Sequence, residues 1–330
     1  MSIYTELHSK YGSYDKVAEF RLFNLNHCTK SCESCFYKRS GNSVSKYKDA
    51  IKLADELIMY GYQLETCYLL PTDFFDNEDN IKTLDIDDVY QIFEKFRFIG
   101  IASTLEGNDN FEKSLDFLYK IKKEIELQIN LVFEKIYDIK YVNEVLGNIE
   151  KVKLKLGDRV VFNLALNLGR EITDQEYERV KELVHLFSDD GIVEVNFTYL
   201  YNDNIRPSLK KKKTLESLMS LNKLAKMYNK VESRFNTRTM MRKPAFIFKD
   251  DKVAIAPIIP FDEYIFIDDE DFYLKDISFS GFLEAQTKLE KYNTPILDKC
   301  LECENLIHCQ GKGYFICANK FELPCFLEAV

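Results

Sequence analysis

Three cysteines near the amino end stand at positions 28, 32 and 35, in the run Cys28-Thr29-Lys30-Ser31-Cys32-Glu33-Ser34-Cys35. The spacing is C-x3-C-x2-C. Three thiolates so close together can reach three corners of one cubane. Soft thiolates select iron–sulfur clusters, zinc or copper(I). A structural zinc usually takes four protein ligands. His27 is the only histidine nearby, and it directly precedes Cys28, so joint ligation would be strained. Three ligands leave one iron of a cubane open to a substrate. The alternative is chance clustering of thiols with no ligand role. Position argues against it, because the run follows an apolar stretch, Ala18–Leu25, that reads as a strand. Ligand sites in barrels and open α/β sheets lie at the carboxyl ends of strands.

The chain holds nine cysteines, at 28, 32, 35, 67, 300, 303, 309, 317 and 325. All but Cys67 fall in two groups at opposite ends. An odd count in a reducing compartment argues against a disulfide framework and for metal or cluster ligation. Cys67 lies within an apolar run and reads as core. The second group is Cys300-Leu301-Glu302-Cys303 followed by Cys309, a C-x2-C-x5-C pattern, with Cys317 and Cys325 beyond. Taken alone, the spacing also suits a zinc site.

The first motif resembles that of the radical S-adenosylmethionine (SAM) superfamily. The resemblance implies a [4Fe-4S] cluster held by Cys28, Cys32 and Cys35, with SAM chelating the open iron and yielding a 5′-deoxyadenosyl radical. Two places depart from the pattern. Ser34 stands where an aromatic residue usually precedes the third cysteine, and Phe36 and Tyr37, directly after it, are the substitutes to face the adenine. Leu69-Leu70-Pro71-Thr72-Asp73 stands where a Gly-Gly-Glu segment usually binds the SAM amino group. Thr72 and Asp73 offer oxygen acceptors for an ammonium, while the same residues also read as a turn. Further SAM contacts implied are Thr104 and Glu106 after the third strand, Glu134 after the fourth, and Asn163 and Asn167 on one face of the fifth. For each of these singly, a hydrogen bond to nearby backbone is the plainer role. The second cysteine group is similar to SPASM and twitch extensions, which carry auxiliary [4Fe-4S] clusters. Residues 231–299 hold no cysteine, and Gly313 stands where another often follows. One auxiliary cluster is therefore implied, on Cys300, Cys303, Cys309 and either Cys325 or Cys317, with Cys325 favoured.

The elements that must position these residues alternate along the chain. Strand patterns at Ala18–Leu25, Leu64–Leu70, Phe98–Ser103, Ile125–Phe133, Arg159–Asn167 and Ile192–Leu200 alternate with helical periods at Ser45–Tyr60, Asp85–Lys95, Asn110–Lys123, Ile139–Lys151, Asp174–Phe187 and Leu215–Lys230. A cap is expected at Thr173 or Asp174. Six such repeats predict an α/β fold, a partial (β/α)6 TIM-like barrel. Periodicity alone does not separate that from a flat doubly wound sheet. After about Val231 the pattern changes. Pro244–Ile255 and Tyr264–Leu274 read as short strands around Asp250 and Asp251, then a helix at Phe282–Tyr292 and a Cys-rich tail. The expected division is 1–17 as an N-terminal segment, 18–230 as the barrel, and 231–330 as a small β-hairpin with a Cys-rich α/loop extension.

A net charge of −9 argues against general nucleic-acid binding. Lys210–Lys213 reads as a solvated loop. No apolar stretch spans a bilayer and the first residues lack a signal segment, so the expected place is the cytoplasm, without membrane contact. The resemblance implies a peptide or protein side chain as substrate, modified by crosslinking, epimerisation or oxidation, with a small metabolite as the alternative. It also implies an external electron donor such as flavodoxin or ferredoxin. The stretch 1–17 is too short for a leader-peptide-binding domain, so the substrate meets the barrel mouth directly or arrives on a separate peptide-recognition protein. Arg234, Arg238 and Arg242 recur every four residues, as a stripe for an acidic peptide or as a solvated helix face. A non-catalytic protein with two zinc sites is the remaining class.

Counting metal separates these readings. Anaerobically reconstituted chain is expected to hold about eight irons, the sum of two cubanes. Cys325→Ala should lose the auxiliary cluster and Cys317→Ala should keep it. Iron near four with stoichiometric zinc would refute the auxiliary cluster.

Overall fold

The fold follows from an alternation within the strands. In the strand Glu124–Leu131, residues Ile125, Leu127, Ile129 and Leu131 are buried on one face, while Glu126, Gln128 and Asn130 stand on the other. The strand Val17–Leu25 repeats this with Ala18, Phe20 and Leu22 against Glu19 and Arg21. Such strands carry one apolar face and one polar face, and on the polar face Glu19, Arg21 and Glu126 are themselves buried. The computed structural model describes residues 16–25, 28–30, 46–76, 86–168, 172–189, 192–199, 224, 245–256 and 273–290.

In chain order the elements are β1 (Val17–Leu25), α1 (Tyr47–Met59), β2 (Gln63–Pro71), α2 (Ile86–Glu94), β3 (Phe98–Ser103), α3 (Phe111–Lys120), β4 (Glu124–Leu131), α4 (Ile139–Leu156), β5 (Val160–Leu168), α5 (Asp174–Asp189) and β6 (Ile192–Tyr199). They continue with β7 (Ala245–Lys249), β8 (Lys252–Ala256) and α6 (Phe279–Glu290). One eight-stranded sheet runs in the order β6-β5-β4-β3-β2-β1-β7-β8. β1 to β6 are parallel and add in sequence. Crossovers are right-handed, so strands that add in one direction keep their helices on one face. The packing agrees: α1 touches α2, and α3 touches α4. The sheet is therefore singly wound, not doubly wound.

A turn forms at Asp250 and Asp251, with Asp250 at φ 53°, and joins β7 to β8, while most of the second strand expected at Tyr264–Leu274 lies outside the described residues. Pro244–Ile255 is thus two strands rather than one. β7 pairs parallel with β1, so the hairpin extends the main sheet across the division expected at 230/231. Phe20 joins the two parts, its ring 5.4 Å from Phe246 and 4.8 Å from Phe248. Smaller shifts have local causes. α4 runs beyond Lys151 to Leu156 and closes on Gly157 at φ 61°. Phe133 leaves the strand pattern for a 3-10 turn, Phe133–Lys135. Thr173 and Glu176 make a reciprocal cap on α5: the Glu176 N–H donates to Thr173 Oγ1 at 3.2 Å, and the Thr173 N–H to Glu176 Oε2 at 2.7 Å. Cys67 is fully buried, and desolvation pushes its thiol far above the ordinary range. No helix among the described residues is long and apolar enough to cross a membrane.

Gly100 of β3 lies beneath the Tyr68 ring, on the polar face. A Cβ there would fall 2.1 Å from Tyr68 Cδ1. Gly100→Ala is expected to destabilise the chain by about 1–3 kcal/mol, the usual range for overpacking. Urea unfolding checks this; an unchanged midpoint would mean that the ring swings aside freely.

Candidate functional site

The carboxyl end of β1 delivers Cys28, Thr29 and Lys30 beside the ends of β2 and β3. Cys28 is exposed. Partial desolvation, with the Asp76 and Asp73 carboxylates adding, holds its thiol above the ordinary value against opposing backbone hydrogen bonds. Thr29 is gripped by Asp76: its backbone N–H donates to Asp76 Oδ2 in a very short contact, and its hydroxyl donates to Oδ1 at 2.8 Å. Lys30 reaches further, to Glu106 Oε2 at 2.9 Å and Asp76 Oδ1 at 3.6 Å. Glu106 also pairs with Lys135. Burial works against ionisation of both partners. For Lys30 the hydrogen bond and charge of Glu106, with Asp73 and Asp76, outweigh it and raise its pKa. For Glu106 the two lysines outweigh it and lower its pKa.

The loop after β2 is fastened by Asp73, which is buried. Oδ2 accepts the Thr104 backbone N–H at 2.7 Å and the Thr104 hydroxyl at 2.8 Å, while Oδ1 accepts the Phe75 N–H at 3.0 Å. Burial raises the Asp73 pKa; hydrogen bonds from Ser103 and Thr104 and the charge of Lys30 counter it in part. The neighbouring Thr72 Oγ1 is buried and has no hydrogen-bond partner. Asp73 therefore ties the second strand end to the third, and Thr72 holds the oxygen left open.

A second polar group lies deeper on the same face. Glu126 accepts from Asn163 Nδ2 at 2.8 Å, from the Tyr68 hydroxyl at 3.2 and 3.3 Å, and from the Thr66 hydroxyl at 3.3 Å. Arg21 pairs with Glu19 at 2.6 Å, its guanidinium 5.8 Å from the centre of the Tyr68 ring. Asn163 Oδ1 has no partner. Turning that amide would set its oxygen against the Glu126 carboxylate, so the open atom is an acceptor.

The structure gathers Cys28, Thr72, Asp73, Thr104 and Glu106 at the strand ends. Asn163 lies elsewhere: it precedes Leu168, the last residue of β5, by five positions, or roughly 16 Å of strand. Glu134 is exposed in the turn after β4. Asn167 lies on β5, its backbone paired with Thr198. Cys32, Cys35, Phe36, Tyr37, Cys300, Cys303, Cys309, Cys317, Cys325 and Arg234, Arg238 and Arg242 lie outside the described residues. Sequence reasoning missed Lys30, Asp76, Lys135, Glu126 and Tyr68. Glu126 carried a signal, as a charge amid alternating apolar residues. Asp76 carried none, since a loop aspartate is ordinary.

The fold is shared with solved structures of anSMEcpe. Histidine-tagged anSMEcpe with bound AdoMet matches at 13% identity over 95% of this chain and 96% of that one, with a TM-score of 0.54. Native anSMEcpe with bound AdoMet and Cp18Cys peptide matches at 13% identity over the same shares, with a TM-score of 0.56. The form with Kp18Cys peptide matches at 14% identity and a TM-score of 0.54. At these identities the likeness is one of fold. No protein-family model and no curated protein sequence matches the chain.

The contrast between neighbours Asp73 and Thr72 is testable in cluster-free chain. Asp73→Ala should cost roughly 2–4 kcal/mol, because several buried donors lose their acceptor. Thr72→Val, which replaces an unpaired hydroxyl, should change stability by no more than about 0.5 kcal/mol. Equal unfolding midpoints for the two variants would remove Asp73 from its role as the strand-end clamp.

Proposed function

We propose that this chain is a radical SAM enzyme that acts on a peptide or protein side chain. The observation that carries the reading is the C-x3-C-x2-C run, whose first cysteine stands at the carboxyl end of β1 in a sheet that shares its fold with AdoMet-bound structures. Those structures are of an anaerobic sulfatase-maturating enzyme of the radical SAM superfamily. Two of them hold a peptide beside AdoMet, which supports the peptide class over the small metabolite.

Of the three ligands proposed for the first cluster, Cys28 is the one among the described residues, and its chemistry fits that role. Cys28 presents an exposed thiol at the strand end, where Cys32 and Cys35 would complete a three-thiolate set. Bound there, the cluster with SAM would supply radical chemistry for hydrogen abstraction from the substrate. The chain's part is to bind, orient and exclude water. Thr72 Oγ1, the unpartnered oxygen at the rim, is the better acceptor for the SAM ammonium, since Asp73 is engaged with Thr104 and Phe75. Thr104, Glu106, Glu134 and Asn167 remain assigned around SAM, with Phe36 and Tyr37 against the adenine. Cys300, Cys303, Cys309 and Cys325 would hold the auxiliary cluster, Cys317 being the substitute, and flavodoxin or ferredoxin would supply electrons.

The joint replacement of Cys28, Cys32 and Cys35 by Ala should remove about four irons per chain, one cubane, and abolish 5′-deoxyadenosine formation. Thr72→Val should keep the iron and weaken SAM binding roughly ten-fold, the scale of one charge-assisted hydrogen bond. A colourless chain holding zinc, or SAM cleavage that survives the triple replacement, would end the reading.

A further inference from the structure

The residue after Cys28 and the one after that are each held by a carboxylate from a different strand end. Thr29 gives both its backbone N–H and its hydroxyl to Asp76, which is 4% exposed. Asp76 is fastened in turn, its carbonyl accepting Asn108 Nδ2 at 3.0 Å and Asn110 Nδ2 at 3.5 Å. Lys30 Nζ lies 2.9 Å from Glu106 Oε2, and the two side chains are 15% and 12% exposed. We propose that Asp76 and Glu106 are positioning residues that fix the Cys28–Lys30 segment in ligating form before metal binds. The proposal deepens the radical SAM reading and rests on it.

The loop that presents Glu106 has the character of a support. Leu105 is buried with φ at 52°, a conformation that bulky side chains rarely adopt. Such a residue persists only where its surroundings fix it. Here Asn148 Nδ2 donates to the Leu105 carbonyl at 2.9 Å, the Leu105 N–H donates to Ser103 Oγ at 2.9 Å, and the Gly107 N–H donates to Glu144 Oε1 at 2.7 Å. Helix α4 thus holds the Glu106 loop from behind, through Asn148 and Glu144. Lys135 bonds Glu106 from the turn after β4. The segment after Cys28 is in this way tied to the ends of β2 and β3 and, through Glu106, to the turn after β4.

A cubane needs its thiolates brought together, and an unrestrained loop loses conformational entropy on doing so. Anchors present beforehand remove that loss from the binding step. They also set charge. Asp76 acts on Cys28 directly, and Glu106 stands two residues along the segment, against Lys30, while Lys30 and Lys135 offset the two carboxylates. A cluster gains an electron on reduction, so nearby negative charge disfavours the reduced form.

The test uses the full chain in two arms. In hydrogen exchange on cluster-free protein, Asp76→Ala should speed exchange of amides 28–30 about ten-fold or more, the scale of losing a hydrogen bond to a charged group. In anaerobically reconstituted protein, the same variant should lose iron to a chelator several-fold faster than wild type. Asp76→Asn and Glu106→Gln keep the side-chain shape, and each should move the cluster midpoint potential upward, while Lys30→Met should move it downward. A role in folding alone would leave those potentials in place. Asp76→Asn also serves if the alanine variant fails to fold. A wild-type chain that takes up no cluster ends both the radical SAM reading and this inference. A wild-type cluster with unchanged exchange, chelator loss and potentials in the variants ends this inference alone.

Discussion

Asp73 is the contact on which the rim of the sheet depends. A parallel strand ends where its ladder stops, and the backbone groups beyond need partners. Asp73 supplies them for two loops at once, accepting from Thr104 twice and from Phe75. The Phe74 N–H donates to the Ala102 carbonyl at 3.0 Å, which carries the β2–β3 pairing past the last ladder residue. With the second and third strand ends locked, Asp76 and Glu106 stand where they meet Thr29 and Lys30. A buried carboxylate resists ionisation, and burial does raise the Asp73 pKa. Its donors make the charge tolerable, and the carboxylate makes the loops rigid.

The polar face raises a related problem one layer down. Single winding leaves that face without the described helices, so side chains must satisfy one another. Glu126 does so through Asn163, Tyr68 and Thr66, and Gly100 makes the space in which the Tyr68 ring lies. Burial, followed by the charges of Glu126 and Glu19, raises the Tyr68 pKa well above normal, so its hydroxyl stays a donor. The network is a polar floor beneath the rim. Asn163 Oδ1 in this network is buried without a partner, and as an acceptor it is open to a donor.

How legible this was depended on periodicity. The six parallel strands and the helices between them were readable, because burial on one face writes a repeat into every strand. Winding was not, because strand order is a property of the whole sheet; the sequential order β1 to β6 decides it. Asn163 and Asn167 group together in the sequence, since an even spacing along a strand means one face. Depth along the strand needs the register, and Asn163 proves to be paired with Glu126. Asp73 was visible as a carboxylate at a strand end, but its engagement with Thr104 spans 31 residues and has no local sign. Asp76 and Glu106 are 30 residues apart and meet Thr29 and Lys30 from different loops.

Sequence identity of 13–14% with the AdoMet-bound structures is a likeness of fold, and a fold hosts many functions, which reside in its sites. Within the proposed function, the stretch Pro71-Thr72-Asp73 is one place where this chain departs from the pattern of the family it resembles. A carboxylate free to meet the SAM ammonium would have to give up its donors in the loops after β2 and β3, and Phe75 and Thr104 would then be left with buried, unpaired N–H groups. The arrangement instead divides the tasks. Asp73 holds the loop, and Thr72 leaves its hydroxyl oxygen unpartnered one residue away. A neutral acceptor binds an ammonium less strongly than a carboxylate does. The remaining attraction has to come from carboxylates nearby, and Asp76, Asp73 and Glu106 all stand within reach of the same lysine, Lys30.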